Sequence, residues 1–333
     1  METLNEQFNA ALSRIEVSGS RQENAAKAHK EVREVLEGDD DLKEMGVDTV
    51  LIGSYSRHTG IYPGRDVDVF AKQTRRDASS SSKAMFDAVN GVLVGHYGPL
   101  AEPQRRSTKV TFKQYKLSVD AVAAVRSSNN WAIPDMSKGG TERGWVSTNP
   151  ERLGELTTDQ NKKKIIDGRG GYVPIVKLVR QTREANLGES GPGGLYFELL
   201  TYWAFVAGIP GESYAEAFAQ TLKAITLQLK AGGNVPLIDP AMKTPFSPKP
   251  SSDELVLASK RFDKLAAKAE QALHLPKCEA AVAWREILGS NERGKCFPLP
   301  EGCDETGKVI GAVTVNTGRG TNEARPFARD RYS

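Results

Sequence analysis

The run Asp66-Val67-Asp68-Val69-Phe70 constrains this chain more than any other stretch of it. Its alternation predicts a β-strand, and strand side chains alternate faces, so both carboxylates fall on one side while Val67 and Val69 serve the packing. Two like charges on one face are costly unless cations neutralise them. Hard oxygen donors with few soft neighbours select magnesium, with manganese as the substitute, over zinc. A third carboxylate stands in Lys116-Leu117-Ser118-Val119-Asp120-Ala121-Val122, a second alternating run that sets Asp120 opposite the apolar face.

Upstream, Val50-Leu51-Ile52 reads as a short buried strand that ends at Gly53-Ser54. Gly53 permits a tight turn or a close backbone approach, and Ser54 with the free N–H groups of a following helix makes an anion site. A Gly-Ser pair alone says little. The order carries the information: strand, Gly-Ser, roughly a dozen residues of loop, a strand with Asp-x-Asp, then a strand with Asp120. Such a set looks built to hold metal ions against a triphosphate while a hydroxyl attacks it. Charge builds on the attacking and leaving oxygens, and two metal ions about 4 Å apart stabilise both ends of an in-line displacement. In that chemistry Asp66 and Asp68 bind the metals, Asp120 completes the site for the hydroxyl, and Ser54 orients the outer phosphates.

The remaining organisation is coarse but readable. Ser20-Arg21-Gln22-Glu23 has the form of a capping box and predicts a long helix with Ala25, Ala28, Val32, Val35 and Leu36 inward, and with His29 packed on the same stripe. Strands dominate from about Val47 to Val125, interrupted by a helix near Ser82 to Leu93. Beyond Asn149-Pro150 helices are expected over Val173–Asn186, Leu195–Ala207, Ser213–Lys230, Asp253–Leu273 and Glu279–Leu288, with a loop of five prolines from Asn234 to Ser252. The expected architecture is α+β: residues 1–150 as a mixed-sheet core with its N-terminal helix, 151–310 as a helical lobe, and 311–333 as a loose tail rich in Gly and Arg.

Composition adds exclusions. No apolar run approaches the roughly 20 residues of a membrane span, and the start Met1-Glu2 lacks the basic and apolar regions of a signal peptide, so a cytoplasmic location is expected. A net charge of +3 does not by itself imply nucleic-acid binding. The basic clusters Arg105-Arg106, Lys162-Lys163-Lys164 and Arg325 to Arg331 read as solvated surface. The three cysteines, Cys278, Cys296 and Cys303, follow His274 without a finger-like spacing. Buried or free thiols are the expectation, zinc binding stays open, and a disulfide framework is not expected from an odd count without an export signal.

The stretch from Gly53-Ser54 through Tyr55-Ser56-Arg57-His58-Thr59-Gly60 to Asp66-Val67-Asp68 resembles the signature of the polymerase-β-like nucleotidyltransferase superfamily. Within it the chain looks most like the bacterial cGAS/DncV-like nucleotidyltransferases, or CD-NTases. Ile133-Pro134-Asp135 with Trp145 and Thr148-Asn149-Pro150, Val176-Lys177-Leu178-Val179-Arg180, Tyr196-Phe197-Glu198-Leu199-Leu200 and Ile238-Asp239-Pro240 follow in the family's order. The resemblance implies a bilobal enzyme that joins ATP, GTP, UTP or CTP into a cyclic di- or trinucleotide second messenger in anti-phage (CBASS) signalling. It also implies a downstream effector that answers to the product, and a regulatory protein partner. Lys177 is implied as a holder of the donor triphosphate, with Arg57 a weaker candidate for the same duty, and Tyr196 reads either as a base-stacking residue or, at least as well, as a core or rim aromatic. Glu198 reads as structural within the helical lobe. Family members often carry a serine where this chain has Gly194, and the loop Gly191-Pro192-Gly193-Gly194 offers backbone N–H groups instead. Rival readings are a transferase making linear products or modifying tRNA, a protein or a drug, and an inactive nucleic-acid-binding scaffold.

Overall fold

Both acidic strands lie side by side in a mixed seven-stranded sheet. The structure is a computed structural model that describes residues 4–137, 144–231 and 235–310. The strands are β1 (Val47–Ile52), β2 (Asp66–Asp77), β3 (Ala101–Pro103), β4 (Thr108–Phe112), β5 (Leu117–Ser127), β6 (Asn130–Pro134) and β7 (Trp145–Thr148). Their order is β1-β2-β5-β4-β3, and the far half of β5 pairs with β6, which pairs with β7. The β2–β5 pairing is parallel and the others are antiparallel. That register sets Asp68 opposite Asp120 and Asp66 opposite Ser118.

The helices are α1 (Asn5–Ile15), α2 (Ser20–Gly38), α3 (Asp40–Glu44), α4 (Gly53–Ser56), α5 (Ser82–Tyr97), α6 (Pro150–Lys163), α7 (Tyr172–Leu187), α8 (Gly194–Ala207), α9 (Tyr214–Ala231), α10 (Ser252–Ala272) and α11 (Lys277–Leu288). Two large apolar clusters organise them. In one, Ala25, Ala28, Val32 and Leu36 of α2 and Val89 and Leu93 of α5 pack on Val67, Val69, Val119 and Ala121 of the sheet. In the other, α7 to α11 bury Tyr172, Phe197, Phe218, Phe262 and Trp284 together. The α+β expectation holds, and so do the five predicted C-terminal helices.

Three helices went unpredicted, α1, α6 and the short α3. Phe8, Ala11, Leu12 and Ile15 form one face of α1 and join the helical cluster, with the Phe8 ring edge-on to Trp284 and Phe297. The capping box at Ser20 is corrected: Ser20 is already helical, and Gly19 at φ 60° takes the N-cap with no side-chain hydrogen bond. A left-handed glycine lets the chain turn sharply between α1 and α2. The capping box sits instead on α10, where Ser251 and Glu254 cap reciprocally.

The cysteine expectation is also overturned. Cys278, in the first turn of α11, is disulfide-bonded to Cys303, leaving Cys296 buried and free. The chain after α11 folds back until the two Cα atoms are 5.3 Å apart, inside the span a disulfide bridges. With two of three thiols so engaged, a zinc site of His274 and the cysteines is excluded. The expected tail at 311–333 lies outside the described residues. Among the described residues no helix is long and apolar enough to cross a membrane.

Candidate active site

The site begins where β1 ends. Gly53 adopts φ 72°, and a Cβ placed on it would lie 1.8 Å from Asp68 Oδ2. No side chain fits there, which is how the turn comes to press on the carboxylate of the neighbouring strand. The one-turn α4 follows, and the Ser54 carbonyl accepts from the N–H groups of Thr59 at 2.9 Å and Gly60 at 3.1 Å, so the loop folds back on itself.

Asp68 and Asp120 are both perturbed. Burial, then the Asp120 and Asp66 charges, push Asp68 up to about 6, against the pull of Arg57 and Arg180. Burial likewise pushes Asp120 up to about 6, with Asp66 adding and Lys109 opposing. Asp66 is more exposed, accepting from Ser118 Oγ at 2.6 Å with Lys109 Nζ at 3.8 Å. Among the described residues no group of three or more His, Cys, Asp or Glu side chains is drawn together closely enough to hold a metal ion. The donor set still fits a hard cation, because it is all oxygen and Asp120 Oδ1 is buried without a hydrogen-bond partner.

Beside this face lies a cavity of about 290 Å³ lined by Glu16, Ser54, Tyr55, His58, Gly60 and Lys177, among others. The structure thus brings Ser54, from the sheet core, and Lys177, from α7, to one space. Lys177 Nζ donates to Glu16 Oε2 at 3.0 Å, so its charge is held at the end of α1.

Other predicted residues are placed differently. Tyr196 is buried, with its ring edge-on to Phe246, and lines a separate apolar cavity of about 270 Å³ with Leu200, Trp203 and Ile238. Of the two readings of Tyr196, the packed aromatic is the one this placement supports. Gly194 starts α8, and a Cβ there would lie 3.0 Å from Arg180 Nη2, so the glycine makes room for that guanidinium. Arg57 spends Nε and Nη2 on Glu198 at 2.7 and 3.2 Å.

Sequence reasoning missed where Glu198 reaches. It was read as pairing within the helical lobe, but its fully buried carboxylate also takes Arg57 and Thr59 from the sheet core. The signal was present, because Glu198 is the sole charged residue in the 14-residue α8.

A Gly-Ser turn, paired aspartates and a third aspartate on adjacent strands, with a helical lobe closing over them, define the class: a polymerase-β-like nucleotidyltransferase. Residues 1–161 match the family of the Second Messenger Oligonucleotide or Dinucleotide Synthetase domain. Over 306 residues the chain is 28% identical to a cyclic AMP-AMP-AMP synthase of Acinetobacter sp., covering 86% of this chain and 85% of that protein. In structure it resembles E. coli MS115-1 CdnC with ATP, at TM-score 0.67 and 15% identity over 88% of this chain and 98% of that one. It resembles Bradyrhizobium diazoefficiens CD-NTase CdnG with GTP equally, at TM-score 0.67 and 14% identity over 86% and 96%. CdnC is also known in a complex with a HORMA protein, to which the chain aligns at TM-score 0.66 and 14% identity over 88% and 98%. The chain is thus similar to the CD-NTases, in fold over most of its length and by family match over residues 1–161.

Proposed function

We propose that this enzyme uses magnesium, or manganese in its place, to join nucleoside triphosphates into a cyclic di- or trinucleotide signal for anti-phage defence in the cytoplasm. The observation that carries the reading is the Asp68–Asp120 register on adjacent parallel strands, flanked by the Gly53-Ser54 turn. Asp66, Asp68 and Asp120 would hold the cations, which when bound stabilise charge on the attacking and leaving oxygens. Asp120 accepts the proton of the attacking ribose hydroxyl, a role that its unpartnered buried oxygen supports. Ser54 donates to the outer phosphates of the donor, and Lys177 leaves Glu16 to pair with them, so that pyrophosphate departs in line. Gly194 contributes backbone N–H at the start of α8, with Arg180 beside it. The known complex of CdnC with a HORMA protein supports a protein regulator here as well, and the product acts on a separate effector.

The test is incubation of the pure protein with magnesium and labelled triphosphate mixtures. The expected result is pyrophosphate release and a phosphatase-resistant product, whose mass gives ring size and bases. Substituting Asp66 and Asp68 together by Asn should abolish turnover in a chain with unchanged circular dichroism. A phosphatase-sensitive product would favour linear transfer, and retained turnover in the double variant would overturn the metal assignment.

A further inference from the structure

Glu198 is buried to 0% exposure inside an apolar helix, a position where an ionised carboxylate costs several kcal/mol unless it is fully paired. Four donors meet it. Arg57 Nε reaches Oε1 at 2.7 Å, while Oε2 takes Arg57 Nη2 at 3.2 Å, Thr59 Oγ1 at 3.0 Å and Arg180 Nη1 at 3.4 Å. Burial alone would raise its pKa, but Arg57 first and then Arg180 and Thr59 hold it below the ordinary value, so it stays ionised.

The partners converge from both sides of the cavity. Arg57 and Thr59 follow immediately on α4, which carries Ser54, and the Thr59 N–H itself binds the Ser54 carbonyl at 2.9 Å. Arg180 stands one turn beyond Lys177 on α7, so the two side chains share a helix face. A single carboxylate thus ties the Ser54 loop and the Lys177 helix to one point, with Asp68 close enough to feel both arginines. A surface pair would do this loosely; a buried, multiply bonded carboxylate does it rigidly.

We propose that Glu198 is a positioning residue for nucleotidyl transfer: it fixes the Ser54 loop against the Lys177 helix, so that both meet the donor triphosphate at one spacing. The inference rests on the reading of Ser54 and Lys177 as the donor-phosphate contacts. It assigns Glu198 no contact with substrate. Its effect passes through Ser54 and Lys177, which separates it from a role in stability alone.

The test is a set of double-variant cycles on the full chain, with triphosphate KM from pyrophosphate release and the Kd of a non-hydrolysable triphosphate, each with magnesium. Glu198→Gln keeps the shape and removes the charge; Thr59→Val removes one hydrogen bond and serves where the first variant fails to fold. Each is expected to raise KM and Kd about tenfold, and Glu198→Asp to restore part of the loss. In either background the further cost of Ser54→Ala or Lys177→Ala should fall to less than about threefold, because those contacts are already misplaced. A lower melting temperature with the Ser54 and Lys177 penalties still multiplying in full would overturn the inference and leave the donor-site reading intact. Ser54→Ala and Lys177→Ala at the parent KM would overturn the donor-site reading, and the inference with it.

Discussion

Gly53 and Asp68 meet at a distance that admits no third group, and the consequences are testable residue by residue. Gly53→Ala would need φ 72° and would drive a methyl into the Asp68 carboxylate. Left-handed strain alone costs about 1–2 kcal/mol, so the variant should melt lower and lose at least about a hundredfold in turnover as Asp68 is displaced. Thermal melts and pyrophosphate release check both. Asp68 also carries a pH dependence. Its folded pKa, about 6, lies above the free value of 3.8, so the folded chain binds the proton more tightly than the unfolded one. The contribution to stability is full below about pH 4 and is lost as pH rises through about 6, amounting to about 2–3 kcal/mol. In the presence of a chelator, Asp68→Asn should therefore be more stable than the parent at pH 8, with the difference vanishing near pH 4. Magnesium should narrow the gap at pH 8 by stabilising the parent. Melts of the two proteins that ran parallel across this range would remove Asp68 from the list of perturbed carboxylates.

At the scale of elements, α7 reaches the cavity through Lys177, and α1 reaches it through Glu16 at its C-terminus. Glu16 is 41% exposed, so its pair with Lys177 adds little to stability, about 0–1 kcal/mol. Glu16→Gln should leave the melting temperature nearly unchanged and lower the triphosphate KM, because the lysine no longer has to leave a partner. Lys177→Ala should raise that KM about tenfold or more; equal KM values in both variants would separate Lys177 from the donor. Much of this was legible beforehand. The strands β2 and β5 announce themselves by period-two alternation, and the order of Gly53-Ser54 and the aspartates located the acidic face. What was not legible has physical reasons. The α1 stripe starts without a side-chain cap, and α6 buries only Leu153, Thr157 and Gln160 of its 14 residues, so its apolar pattern is weak although Asn149 and Pro150 mark its start. Glu198 finds its partners 139 and 141 residues away, a pairing that no local spacing encodes. The same holds for Cys278 and Cys303, 25 residues apart. Thiol titration of the denatured, unreduced chain should find one free thiol of the three cysteines, and three after reduction; three before reduction would break the pairing.

Across the whole molecule, the described residues bury two main apolar clusters, one on the sheet and one among the helices, and polar side chains link them. Arg57 and Thr59 reach Glu198, and Arg65 reaches Glu292 at 2.8 Å. A donor triphosphate held by Ser54 on one side and Lys177 on the other would add a further bridge, so binding should stabilise both clusters together rather than one. Linkage sets the size: a ligand at a hundred times its Kd contributes about 2.7 kcal/mol. For a chain of this length that is a rise of about 4 °C in melting temperature. A non-hydrolysable triphosphate with magnesium should produce the rise, and the transition should stay single when followed by far-ultraviolet circular dichroism and by tryptophan fluorescence. Lys177→Ala should lose the rise, and so should the Asp66 and Asp68 double variant, whose missing carboxylates would hold the cations. A transition that split on adding ligand, with only the sheet signal moving, would show that the triphosphate contacts the sheet core alone and that Lys177 does not close the site.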